Sequence, residues 1–189
     1  MDQKFYNAIE SNPVIAAVKD DEGLAKCCER EEIKVVFVLY GDICNIGDIV
    51  KKIHEYNKIA MVHIDLITGL NGKEIAVDFI HKTTAADGII STKPALIKRA
   101  KELSLYTVLR VFVLDSMAFK NIGHQLMQAK PDIIEILPGL MPKIIRKVCK
   151  LSNVPVIAGG LISDKDDVVE ALSAGAISVS TTNTDVWLM

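Results

Sequence analysis

The chain has 189 residues, half of them apolar, 24% charged and only 5% aromatic, a composition that excludes global disorder and calls for an aliphatic core. With 22 Lys+Arg against 24 Asp+Glu, the formal net charge is −2. That excludes a polycation that coats nucleic acid through bulk phosphate neutralisation and leaves only a local basic face for such contacts.

A helical segment over 4–10 precedes a repeated rhythm. Short apolar runs recur at 14–18, 35–39, 59–64, 88–91, 106–113, 132–137, 155–158 and 177–180. They are rich in β-branched residues, as in parallel strands covered on both faces. Amphipathic segments near 22–30, 45–57, 72–83, 94–103, 116–129, 141–151 and 164–174 lie between them. Pro94 and Pro142 suit the first turns of their helices. Ser163 with Asp166 reads as a capping box, and Gly175 as a left-handed C-terminal cap. Eight strands alternating with helices predict an α/β fold, a compact (β/α)8 TIM-type barrel. At about 24 residues per unit it has short loops and forms one domain over 1–189. An open doubly wound sheet is the alternative, but no G-x-G-x-x-G follows the first strand.

Met1 to Asn7 lacks a basic segment followed by an apolar one, so no signal peptide is read. No apolar run approaches the roughly 20 residues of a membrane helix. Cys27 and Cys28 are adjacent, and Cys44 and Cys149 stand alone. Without a C-x-x-C pair or zinc-type spacing, they read as thiols of a reducing cytoplasm. No metal or cofactor is expected.

Function in a barrel sits where strands end and βα loops begin. Ala158-Gly159-Gly160 follows the seventh run, and Ser180-Thr181-Thr182-Asn183 follows the eighth. Paired glycines let backbone N–H groups approach an anion, and hydroxyls add donors. Phosphate often binds at these two strand ends, so Gly159, Gly160, Ser180, Thr181 and Asn183, with Gly139 after the sixth run, form a candidate phosphate site. Arg110 and Glu135 interrupt adjacent apolar runs. Because buried charges are costly unless paired, they read either as an internal salt bridge or as a polar floor for a ligand. Period-two alternation puts His63 and Asp65 on one inward face. His63 reads as structural or as a ligand contact, and Asp65 as a ligand acceptor. Lys93 reads as a cation aimed at an anionic ligand or as a side chain reaching to solvent. Asp20 reads as a ligand acceptor or a helix cap. Outside the mouth, Lys143, Arg146, Lys147 and Lys150 share one helix face, and Lys98, Arg99 and Lys101 cluster on another. Each is either a solvated face or a phosphate-backbone footprint. With Trp187 the only tryptophan and no RRM-type aromatic motif, base stacking is not advertised.

Several segments together resemble the glycerol-3-phosphate-responsive antiterminators, also called glycerol uptake operon antiterminator regulatory proteins. They are Pro13 to Lys19, His63-Ile64-Asp65-Leu66, Asp87 to Lys93, Asp132 to Gly139 with Met141-Pro142-Lys143, Ile157 to Lys165 and Ala176 to Asn183. The resemblance runs nearly end to end. It implies a compact barrel that senses glycerol 3-phosphate and acts on the leader mRNA of glycerol-utilisation genes to prevent termination. On that reading Asp20, Asp65, Lys93, Arg110 and Glu135 meet the ligand, and Lys143, Arg146, Lys147 and Lys150 meet RNA. A homodimer is compatible with facing a folded RNA. An enzyme acting on a phosphorylated metabolite, such as an isomerase or synthase, would use the same pocket, with Asp65 or Glu135 in acid–base work. A third reading gives the basic helix a protein partner.

Overall fold

A computed structural model describes residues 4–189; the first three residues of the Met1–Asn7 stretch lie outside them. Eight parallel strands close into a barrel in chain order: β1 (Val14–Val18), β2 (Val35–Val38), β3 (Ile59–His63), β4 (Gly88–Ser91), β5 (Tyr106–Phe112), β6 (Ile133–Leu137), β7 (Val156–Gly159) and β8 (Ser178–Thr181). β1 pairs with both β2 and β8, which closes the ring and removes every sheet edge. The helices are α1 (Lys4–Ser11), α2 (Asp21–Cys28), α3 (Ile46–Glu55), α4 (Glu74–Thr83), α5 (Pro94–Glu102), α6 (Ser116–Ala129), α7 (Pro142–Leu151) and α8 (Lys165–Ser173). This is the predicted (β/α)8 barrel. No described helix is long and apolar enough to cross a membrane.

The near-continuous burial of the strands follows from their two covered faces. Alternate side chains pack outward against the helices, while Ile15, Phe37, Met61, Val108, Ile133 and Ile157 join a separate inner cluster. Helix α1 closes that cluster with Phe5 and Ile9, both buried, and Phe5 stacks on Tyr106 at 4.9 Å between ring centroids. Burying Phe5 contributes about 1.5–3 kcal/mol. Two residues further along the strands the interior turns polar: Met61 is followed by His63, Val108 by Arg110 and Ile133 by Glu135. The inner stack therefore has an aliphatic base and a polar upper layer facing the C-terminal mouth.

Most helix punctuation holds. Pro94 and Pro142 open their helices, and Gly175 follows α8 with φ +105°. The capping box at Ser163 and Asp166 is displaced by one residue. Asp164 is the N-cap and accepts from the Asp167 amide, while Asp167 reaches back to the Ser163 amide and hydroxyl. Asp accepts the same amide bonds as Ser with a full charge, which the helix N-terminus favours.

Candidate ligand chamber at the barrel mouth

A chamber of about 410 Å³ opens at the C-terminal ends of the strands. Its floor is Arg110, Glu135 and Ser180, its walls include Ala17, Leu39 and Leu137, and its rim comes from the loops after β7 and β8. Glu135 is fully buried. Its Oε2 accepts from Arg110 Nε at 2.5 Å, and its Oε1 accepts from the Ser180 hydroxyl. The pair forms the internal salt bridge of the first sequence reading, and the same two residues line the floor of the chamber. The terminal nitrogens of Arg110 make no hydrogen bond to the protein among the described residues. They are donors left for whatever enters.

The glycines act differently from one another. A Cβ on Gly159 would fall against Glu135 Oε1 and lie 2.6 Å from Ser180 Oγ. Gly159 therefore makes room for the floor bonds and does not line the chamber, contrary to its expected place on an anion. Gly160 does line it, at φ +74°, and its carbonyl accepts from the Gly139 amide at 2.9 Å. Gly139 sits outside the chamber and braces the loop that bears Gly160. Among the described residues, the amides of Gly160, Leu161 and Thr182 make no hydrogen bond outside the regular strands and helices, so the rim keeps donors that suit an anion.

Ser180 and Thr181 are buried, and their hydroxyls are already committed. Ser180 donates to Glu135, and Thr181 donates to the Ile162 carbonyl at 2.8 Å. Asn183 lines the chamber while its Nδ2 donates to the Ser163 carbonyl, tying the two rim loops together. The Trp187 indole N–H donates to the Thr181 carbonyl and pins the end of β8.

Three expected contacts lie elsewhere. Asp20 is exposed, caps α2 by accepting from the Gly23 amide at 2.7 Å, and lines a neighbouring cleft with Lys19 and Thr184. Asp65 does not continue the alternation of β3. The strand ends at His63, and Asp65 sits in a 3-10 turn over Ile64–Leu66. Its Oδ2 accepts from the Ser91 hydroxyl and from the amide and hydroxyl of Thr92. Burial pushes the Asp65 carboxyl up, but those bonds, with His63 and Lys93 nearby, hold it below the usual carboxylate range. Lys93 is half-exposed, with Nζ 3.4 Å from Asp65 Oδ1, and its chain lies over Gly72. Neither Asp65 nor Lys93 lines the chamber.

His63 is 3% exposed, and its buried Nδ1 has no hydrogen-bond partner among the described residues. Burial, then the Arg110 charge, push its pKa down to about 4. The imidazole is neutral at pH 7, and the linkage sign follows. Between the unfolded value near 6.5 and about 4, the unfolded chain binds a proton that the folded chain does not. Stability is therefore present above pH 6.5 and is lost as the pH falls toward 4. Urea unfolding of the wild type should lose roughly 2 kcal/mol between pH 7 and pH 5. A His63→Phe variant should lack that decrement; equal acid sensitivity in both proteins would exclude His63 as its source.

Of the two carboxylates an acid–base enzyme would draw on, Glu135 is bonded through both oxygens, to Arg110 and Ser180, while Asp65 is bonded through Oδ2 to Ser91 and Thr92 and its buried Oδ1 makes no hydrogen bond among the described residues. The chamber offers donors in place of a free base: Arg110 at its floor and backbone amides at its rim. Leu161, the non-glycine rim residue with φ +65°, carried no signal in the sequence, because leucine rarely adopts that conformation.

Such a chamber, closed by the loops after β7 and β8 of a short-looped (β/α)8 barrel, lies at the C-terminal face where barrels of this fold carry their sites. The chain belongs to the family described as glycerol-3-phosphate responsive antiterminator, whose model matches residues 14–187. It is 45% identical over 185 residues to the uncharacterized protein YgcP of Escherichia coli K12, covering 98% of this chain and 96% of YgcP. The crystal structure of the glycerol uptake operon antiterminator regulatory protein from Listeria monocytogenes superposes with a TM-score of 0.90 at 31% identity, covering 94% of this chain and 95% of that one. A glycerol uptake operon antiterminator-related protein from Thermotoga maritima gives 0.80 at 33% identity, over 93% of this chain and 98% of that one.

Proposed function

We propose that this protein is a cytoplasmic, ligand-gated antitermination regulator that binds glycerol 3-phosphate in the chamber at the barrel mouth and leader mRNA of glycerol-utilisation genes on an outer basic face. The observation that carries the reading is the pairing of free rim amides at Gly160, Leu161 and Thr182 with the unused Arg110 donors at the floor, in a chain of this family. The rim suits a phosphate, and the floor, where Glu135 offsets the Arg110 charge, suits neutral hydroxyls. Gly139, Ser180, Thr181 and Asn183 shape the chamber through their committed hydrogen bonds.

Lys143, Arg146, Lys147 and Lys150 lie on α7, and α7 begins just after Gly139, whose amide holds the Gly160 carbonyl. Ligand binding thus has a short covalent route to the basic face, and it shifts RNA affinity by the difference in its affinity for the two states. Calorimetric titration with glycerol 3-phosphate, followed by leader-RNA binding with and without it, tests the reading. Heat of binding together with a ligand-dependent RNA affinity supports it; turnover of the ligand, or RNA binding indifferent to it, overturns it.

Reversing Lys143, Arg146 and Lys147 to glutamate should leave glycerol 3-phosphate affinity unchanged. It should weaken RNA binding by about tenfold or more at moderate salt. The dependence of log K on log salt should flatten by about 0.7–0.9 for each phosphate no longer neutralised. An unchanged salt slope would move RNA to another face.

A further inference from the structure

The surface between α6 and α7 differs from the rest of the barrel's outer layer. From residue 116 to residue 154 the chain carries six Lys and Arg and two acidic residues, Asp132 and Glu135. Both acids are buried and bonded, Asp132 to Thr107 and Lys101 and Glu135 to Arg110. The exposed surface of this segment therefore carries basic charge only, in a chain whose net charge is −2.

α6 packs on α5 and α7 on α8, while α6 and α7, like α2 and α3 or α3 and α4, make few close contacts with each other. Between them runs a groove with a cavity of about 310 Å³ lined by Gly123, Leu126, Met127, Lys130, Leu151 and Val154. Met127 is 71% exposed and Leu151 48%, so apolar side chains line the groove while facing water. Gly123 deepens it, because a Cβ there would meet nothing within 4 Å. One turn toward the mouth, Lys147 lies over the Phe119 ring at 5.9 Å, bridging α6 and α7.

We propose that the α6–α7 groove is the seat of single-stranded RNA, with bases lodged on its apolar floor beside Gly123 and Met127 and phosphates held by Lys130, Lys147 and Lys150. The proposal rests on the RNA-regulator reading and narrows it from one helix face to a two-walled cleft. Charge complementarity selects the occupant: both walls carry cations and no exposed carboxylate, which suits a polyanion. The cleft selects the strandedness. A duplex presents phosphates outward and keeps its bases stacked inside, so it gains nothing from an apolar floor, whereas an unpaired strand offers bases to it.

The test uses the full chain and a fluorescent single-stranded RNA of randomised sequence, about a dozen nucleotides long, against the same RNA annealed to a complement. Wild type is expected to bind the single strand more tightly than the duplex at low salt. Gly123→Phe fills the groove without altering charge, and its Cβ lies in open space. It should weaken single-strand binding about tenfold, leaving duplex binding and the heat of glycerol 3-phosphate binding unchanged. Met127→Glu, at an exposed position, should do the same or more. Unchanged single-strand affinity in both variants overturns the groove while leaving α7 as an RNA face. No RNA binding by the wild type overturns the regulator reading itself. A wild-type dimer in sedimentation that Gly123→Phe dissociates overturns the proposal by assigning the groove to a second copy of the chain.

Discussion

Replacing Glu135 with alanine is expected to destabilise the barrel by about 3–5 kcal/mol in urea unfolding, the range for removing one partner of a buried ion pair. Three costs coincide. Arg110, 7% exposed, keeps its charge without a counterion. The Ser180 hydroxyl loses its acceptor. The space that Gly159 leaves for the carboxylate becomes a void beside a residue that has no side chain to fill it. Glu135→Gln should cost less, because the amide oxygen can still accept one of the two bonds. The paired loss should appear in double-mutant form: Arg110→Met with Glu135→Leu should be more stable than Glu135→Ala alone, since the uncompensated charge is gone, yet should bind no glycerol 3-phosphate. Equal stability of Glu135→Ala and wild type would show that neither the ion pair nor the volume of the Glu135 side chain stabilises the barrel.

The barrel was legible because each level of the sequence agrees. Short β-branched runs, helix-length amphipathic segments, Pro94, Pro142 and Gly175 all point to one alternation, and closure follows from the count of eight. Residues inside strands were the most legible part of the site. Arg110 and Glu135 sit opposite one another in register on β5 and β6, as adjacent charged interruptions of apolar runs require. Legibility fails where strands end. Asp65 follows His63 by two positions, but the chain turns before reaching it, and three neighbouring donors on β4 and its loop outcompete any inward orientation. Asp20 and Asn183 are claimed by local caps and loop bonds, an outcome that short polar side chains near backbone amides favour. Gly159 and Gly160 look alike in sequence. Their division of labour depends on which neighbour each approaches, the Glu135 carboxylate in one case and the chamber in the other. The α6–α7 groove was illegible for a related reason. Periodicity gives each helix its faces, but the distance between two helices is set by what lies beneath them.

Gly160→Val is expected to abolish measurable glycerol 3-phosphate binding at concentrations that saturate wild type, a loss of about a hundredfold or more. At φ +74° a β-branched side chain is an outlier, and holding it there costs of order 1–3 kcal/mol. The loop can relieve that strain by rotating the peptide, but the Gly160 carbonyl accepts the Gly139 amide bond, so rotation breaks the brace between the loops after β6 and β7. If the loop stays, the new Cβ lies 3.2 Å from Leu137 Cδ2, on the chamber wall, and its methyl groups stand where a phosphate oxygen would approach the rim amides. Either route removes the anion donors. Gly160→Ala should fall between, with the same backbone strain and less bulk. Far-ultraviolet circular dichroism and RNA binding at low salt should remain near wild type for the alanine variant, because α7 and the groove beside it keep their charges. Undiminished glycerol 3-phosphate affinity in the valine variant would mean that the phosphate does not sit on this rim, and the ligand would then have to place its anion on Arg110 at the floor.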